Sequence, residues 1–221
     1  MTSPTDDILT LIRGGDTEAV IALLRRDPGA AMARDASGVS ALMWACYMRQ
    51  ESVVEALRAV VPSLDVFEAA SLGDEARLRD LLAGDPALSG AWSGDGFTAL
   101  HFAAFFGRAG LAKALLDAGA DPAAPSRNAM RVHPLHSAAA ARSLNTCRVL
   151  LEGGAPAGAA QHQGWTALMS AAMHGEEELA LLLLGHGADP AARSDDGRTA
   201  ADMALEKEYQ ALATRLSRGA S

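Results

Sequence analysis

Lysine is almost missing from this chain of 221 residues: its 19 basic side chains are 17 arginines plus Lys113 and Lys207, and the net charge is −8. The arginines are scattered singly in an acidic background. No positive stripe exists to neutralise phosphates, which excludes nucleic acid as a partner. The bias toward arginine and alanine suggests a GC-rich bacterial genome, as a compositional hint. No apolar run approaches the roughly 18 residues of a membrane span, and no basic region precedes an apolar segment at the N-terminus. No membrane partner and a cytoplasmic location are the resulting expectations. Cysteine occurs twice, at Cys46 and Cys147. They lie about a hundred residues apart along the chain, and two buried thiols are expected rather than a disulfide.

Catalytic and ligand-binding signatures are missing as well. The six histidines, at 101, 133, 136, 162, 174 and 186, form no H-E-x-x-H and have no Cys-x-x-Cys beside them, so no metal site is expected. His133-x-x-His136 comes nearest, but Pro134 occupies a helix start there. No G-x-S-x-G elbow, Walker loop or Cys-His constellation is present. Glu176-Glu177-Glu178 sits where a helix begins, and carboxylates favour the positive end of its dipole. The expectation is a chain with no catalytic residues, no cofactor and no small-molecule substrate.

What the sequence does have is self-similarity. Gly96-Phe97-Thr98-Ala99-Leu100-His101 recurs as Gly164-Trp165-Thr166-Ala167-Leu168-Met169. A residue closing a short helix recurs at Gly15, Arg49, Gly73, Gly107, Arg142, Gly175 and Glu208. Each is followed eight positions later by leucine: Leu23, Leu57, Leu81, Leu115, Leu150, Leu183 and Leu216. Apart from the step from Arg49 to Gly73, the spacing is 33 to 35 residues, the mark of a stacked array. Shifting the sequence by 58 residues lays Gly15 on Gly73, Asp27-Pro28 on Asp85-Pro86 and Ala41-Leu42 on Ala99-Leu100. The short step therefore reads as an internal copy of a leading repeat, which lacks a hairpin. A missing finger at residues 62–66, with a change of curvature that splits the binding face in two, is expected.

The period and the tetrapeptides Ser40-Ala41-Leu42-Met43, Thr98-Ala99-Leu100-His101, His133-Pro134-Leu135-His136, Thr166-Ala167-Leu168-Met169 and the degraded Thr199-Ala200-Ala201-Asp202 resemble the ankyrin repeat. The resemblance implies an all-α solenoid of antiparallel helix pairs joined by β-turn or hairpin loops. One domain over residues 7–216 is expected, in units 7–34, 35–62, 63–92, 93–125, 126–160, 161–193 and 194–216. The first and last units would serve as caps, and residues 1–6 and 217–221 would be tails. It implies that Thr98 bonds to His101, and His133 less cleanly to His136, each tying a turn to its neighbour. Met43 and Met169 would replace that tie by apolar contact. Gly94-Asp95-Gly96-Phe97-Thr98-Ala99 matches a dinucleotide-binding pattern in letters alone, because no strand precedes it and the repeat accounts for Gly96 and Ala99.

Arrays of this kind line a concave groove with hairpin tips and the inner faces of the first helices. The corresponding outward positions are Val39, Tyr47 and Met48; Phe97, Phe105 and Phe106; Met130 and Val132; Trp165, Met173 and His174; and Arg198, with Glu206 and Lys207 at the polar end. Aromatic anchors on such a surface are worth about 2 kcal/mol or more when a partner buries them. One of Phe105 and Phe106 is expected to pack back on the next unit, whereas Phe97 and Trp165 are expected to be true surface. The reading is a monomeric, non-enzymatic module that binds a protein partner through the groove. The alternative is a self-assembling structural or regulatory subunit, for instance one that neutralises a toxin or effector or accompanies an enzyme.

Overall fold

The computed structural model describes residues 4–219, which form fourteen α-helices in seven successive pairs. These are α1 (Pro4–Gly14) and α2 (Thr17–Arg26); α3 (Ala41–Tyr47) and α4 (Glu51–Val60); α5 (Val66–Leu72) and α6 (Glu75–Gly84); α7 (Ala99–Phe105) and α8 (Ala109–Asp117); α9 (Pro134–Ala140) and α10 (Leu144–Glu152); α11 (Ala167–Met173) and α12 (Glu177–Gly185); α13 (Ala200–Glu206) and α14 (Gln210–Gly219). The expected all-α solenoid is what forms. Helix reaches into both segments expected to be tails, since α1 starts at Pro4 and α14 runs to Gly219. Residues 1–3 and 220–221 lie outside the described residues.

All seven closing positions adopt positive φ, from 54° at Arg49 to 83° at Gly73. The chain must reverse there after one short helix, and the left-handed residue makes the reversal. Four of the seven are glycine, which takes this conformation without strain, while Arg49, Arg142 and Glu208 hold it with a side chain. Six of the seven spaced leucines are buried. The exception is Leu81, half-buried, because α6 turns Leu78 and Leu82 inward instead. After α10, Gly153 keeps a negative φ of −80°, and Gly154 takes the left-handed conformation that ends the helix.

Each first helix packs on the first helix of the next pair, and the apolar faces between the two layers merge into one continuous core. Alanines make the close approach possible. Ala103, Ala104, Ala138, Ala139, Ala171 and Ala172 are wholly buried. The internal copying is visible in local detail. Asp16 and Asp74 cap α2 and α6 by accepting from the amides of Ala19 and Arg77. Single turns of 3-10 helix follow at Pro28–Met32 and Pro86–Gly90, again 58 residues apart.

Five hairpin-like fingers project between the pairs. Three carry isolated antiparallel bridges, Arg34 with Ser40, Trp92 with Thr98 and Ala160 with Thr166. Two are closed by the bonds Ser126 N–H to Val132 C=O and Ser194 N–H to Arg198 C=O. Between α4 and α5 only residues 61–65 intervene, and Asp65 caps α5 in a capping box with Glu68. That is where a finger was expected to be missing.

The neighbouring fingers have closed over the vacancy. Where fingers are consecutive they are joined by backbone bonds: Arg127 N–H to Gly96 C=O, His162 N–H to Met130 C=O and Asp195 N–H to Gln163 C=O, each 2.9 Å. Across the missing finger, the Ser37 carbonyl instead lies hard against Gly94, so close that any side chain there would collide with it. Tyr47 in α3 also donates its hydroxyl to Asp95 at 2.6 Å. The expected split of the face is therefore not seen at the finger tips. A small void of about 100 Å³ remains beneath, bounded by Val39, Tyr47, Phe67, Trp92 and Phe102 among others.

Candidate functional site

The polar ties of the motif hold the fingers that wall the groove. In α7 the Thr98 N–H donates to His101 Nδ1 at 3.1 Å, with the Thr98 hydroxyl 2.8 Å from the same nitrogen. His101 Nδ1 is thus an acceptor, so the proton sits on Nε2, which donates to the Val132 carbonyl of the next finger at 2.9 Å. His136 repeats the arrangement, accepting from His133 N–H at 3.2 Å and donating to Ala159 C=O at 3.1 Å. Burial pushes both imidazoles down to about 4, so both are neutral at pH 7. Met43 and Met169 fill the same slot as buried apolar side chains.

On this frame the groove takes shape. Tyr47, Phe97, Phe105, Val132 and Trp165 converge on one hollow of about 300 Å³. Phe105 is 40% exposed and forms an edge-to-face pair with Phe106 at 5.0 Å, while Phe106 packs against the core. Phe97 and Trp165 were expected to be free surface. Both are instead half-buried against the core, because the fingers fold back over the first helices, and Phe97 meets His101 and Phe102 edge-on at 5.6 and 5.9 Å. Val39 is the clearest departure. It is 7% exposed and belongs to the core, facing the small void that it shares with Phe67, Trp92 and Gly94.

The remaining expected groove positions do not line the hollow. Met48 and Met130 are exposed, Met173 is half-buried, and His174 is exposed with its Nδ1–H donated to Ser170 C=O. Arg198 is held by Asp196 and Glu206 at 2.6 and 3.0 Å, so its charge is already compensated. Beyond Phe105 and Phe106 lies a second depression of about 540 Å³, where Arg49, Glu51, Glu55 and Arg108 are exposed.

The sequence reading missed His101, Phe102, His136, Ser137, Ala140, Gln161 and Ser170, which complete the lining of the first hollow. A signal for part of it exists in the repeat. Five residues before the closing positions stand Trp44, Glu68, Phe102, Ser137, Ser170 and Met203 in successive units. Phe102 fills that row with a ring against Tyr47, Phe67 and Phe97. The next two units have only serine, and the hollow opens there.

Among the described residues no three His, Cys, Asp or Glu side chains are grouped so as to hold a metal, and no helix is long and apolar enough to cross a membrane. Cys46 and Cys147 are unpaired and buried, and burial pushes both thiols up to about 12.

Comparison with known proteins agrees with the geometry. The family model for ankyrin repeats (3 copies) matches residues 66–159 and 135–221. A transient receptor potential cation channel subfamily A member 1 homolog of Caenorhabditis elegans is 33% identical over 141 residues, covering 64% of this chain and 11% of that protein. The human neurogenic locus notch homolog protein 4 is 38% identical over 124 residues, 56% of this chain and 6% of its own length. The Drosophila melanogaster neurogenic locus Notch protein is 44% identical over 96 residues, 43% of this chain and 4% of its own. The matched stretch is thus about a tenth or less of each relative. With seven helix pairs closed at left-handed residues, fingers bonded side by side and a family match over more than half its length, this chain belongs to the ankyrin repeat family.

Proposed function

We propose that the array is a non-enzymatic module that takes a protein partner into its concave groove. Ankyrin repeats generally mediate protein–protein interaction, and the observation that carries the reading here is the apolar hollow beneath the second, third and fourth fingers, with Phe105 exposed on its rim. A large ring left 40% exposed at the mouth of an apolar hollow, on a surface that also exposes Met48 and Met130, has the composition of an interface rather than of ordinary surface. Docking on bonded, stacked fingers requires little ordering, so the contact energy is not consumed in freezing loops. Two unpaired buried thiols suit a reducing compartment, and we place the protein in the cytoplasm.

The test is retention of host proteins on immobilised wild type, on a Phe105→Ala/Met130→Ala variant, and on Leu181→Ala, which removes an exposed apolar side chain from the second-helix layer. Proteins held by wild type and Leu181→Ala should be lost from the double variant. Equal recovery from all three would overturn the groove assignment. The same exposed apolar patch favours self-association as the second reading, and light scattering decides it: a stable dimer would give the groove to a second copy.

A further inference from the structure

Ser137 and Ser170 are each only 7% exposed, yet neither hydroxyl makes a hydrogen bond among the described residues. Two other helical serines turn back to the carbonyl one turn earlier, Ser71 to Phe67 at 2.8 Å and Ser217 to Ala213 at 2.9 Å. Ser137 and Ser170 do not, and both line the apolar hollow. Neither oxygen is among the fully buried, unpartnered polar atoms of the described residues, so both remain open toward the hollow. A ring that filled it would cover them, and covering a hydroxyl is costly unless the entering group bonds to it.

We propose that this hollow receives the side chain of a tyrosine or tryptophan from a partner polypeptide, its ring between Phe105 and Trp165 and its polar tip on the hydroxyls of Ser137 and Ser170. This rests on the protein-binding reading and specifies what the partner must present. The volume of about 300 Å³ stands at the small end of ligand sites, in scale with one large ring and its flanking backbone. The walls supply the aromatic contact, and Tyr47 cannot compete for the serines because its hydroxyl is committed to Asp95. A hydroxyl both donates and accepts, so it serves a phenol O–H or an indole N–H. An aliphatic or phenylalanine side chain would leave both serines unsatisfied. Half-buried Gln161, with no side-chain bond among the described residues, stands in the same lining for the backbone that follows the ring.

The experiment uses N-acetyl-tyrosinamide, N-acetyl-phenylalaninamide and p-cresol as probes, titrated by NMR against the full chain and a Ser137→Ala/Ser170→Ala variant. Tyrosinamide should shift resonances of Phe105, Val132 and Trp165 and bind about three- to tenfold more tightly than phenylalaninamide, the usual net worth of a neutral hydrogen bond. That preference should vanish in the double variant, whose melting temperature should equal or exceed wild type because no native bond is lost. Absence of shifts at those residues, an unchanged preference in the double variant, or a lowered melting temperature would each overturn the proposal. Binding of p-cresol much tighter than tyrosinamide would assign the pocket to a free small aromatic instead. Loss of partner retention in Phe105→Ala/Met130→Ala together with failure of the tyrosine preference would sink this inference and leave the protein-binding reading standing.

Discussion

Replacing Gly94 by alanine tests the closure of the fingers across the missing one. Gly94 does not have a positive φ, so a methyl group there carries no backbone strain, and the whole effect is steric. That methyl would collide with the Ser37 carbonyl oxygen, which is backbone and cannot rotate away. Neither finger yields easily. Asp35 accepts from the amides of Ser37 and Val39 and from Trp44 Nε1 at 2.9 to 3.0 Å, and on the opposite side Asp95 is held by Ser93 and Tyr47, its carbonyl by Asn128. Forced overpacking of this kind costs about 1–3 kcal/mol. The loss of unfolded-state freedom on going from glycine to alanine offsets roughly 0.4–1 kcal/mol of that. At roughly 2–4 °C per kcal/mol for a chain of this size, the melting temperature should fall by several degrees. Gly90→Ala is the control, since nothing lies within 4 Å of its added carbon, and it should melt at or slightly above wild type. If calorimetry shows Gly94→Ala melting with or above Gly90→Ala, the fingers do not touch and the face is split after all.

Three further outcomes follow from the core and the motif ties. Leu115→Ala removes a wholly buried leucine from the second-helix layer and should cost about 2–5 kcal/mol in urea unfolding; a change under about 1 kcal/mol would refute the register of α8. Arg49→Gly relieves a left-handed residue that has a side chain and should stabilise by up to about 1 kcal/mol, whereas Gly73→Ala at the equivalent position should destabilise. His101 and His136 titrate near 4 when folded against an ordinary 6.5, so the unfolded chain binds more protons between those values. Stability should be complete above pH 6.5 and fall as pH drops toward 4, by on the order of 3 kcal/mol per ring, and His101→Met should flatten that slope by about half in melts from pH 7.5 to 4.5.

Much of the architecture was legible because an array repeats its local solutions. The closing residues announced seven reversals through spacing alone, even where Arg49, Arg142 and Glu208 replace glycine, because a conformation imposed by helix packing persists through a change of side chain. Where two residues can do one job, spacing does not choose between them. Gly153 and Gly154 both permit a stop, and only the clash of an added carbon at Gly153 with the Leu116 side chain shows that the first is kept small for packing instead. Val39, Phe97 and Trp165 were misplaced for a different reason. Position in a repeat says which way a finger points but not how far it folds back, and that distance is set by the neighbouring finger, or by its absence.

The candidate pocket was illegible for a reason that the repeat itself supplies. A search for anchors looks for large side chains, and it found most of the rim. A hollow is made by what is small. Where Phe102 is followed in the next two units by Ser137 and Ser170, the core loses nothing, since the leucine and alanine positions beneath are unchanged and wholly buried at Leu135, Ala138 and Ala171. The substitution therefore empties the groove without weakening the stack. Stability in a solenoid resides in contacts between neighbouring pairs, and the row facing the groove is left free to vary. Aromatic residues along that row build a filled face, and serines build a receptive one. In this chain the transition from the first to the second falls one repeat after the fingers have closed over the missing one, so the filled half braces the junction and the open half is left for a partner.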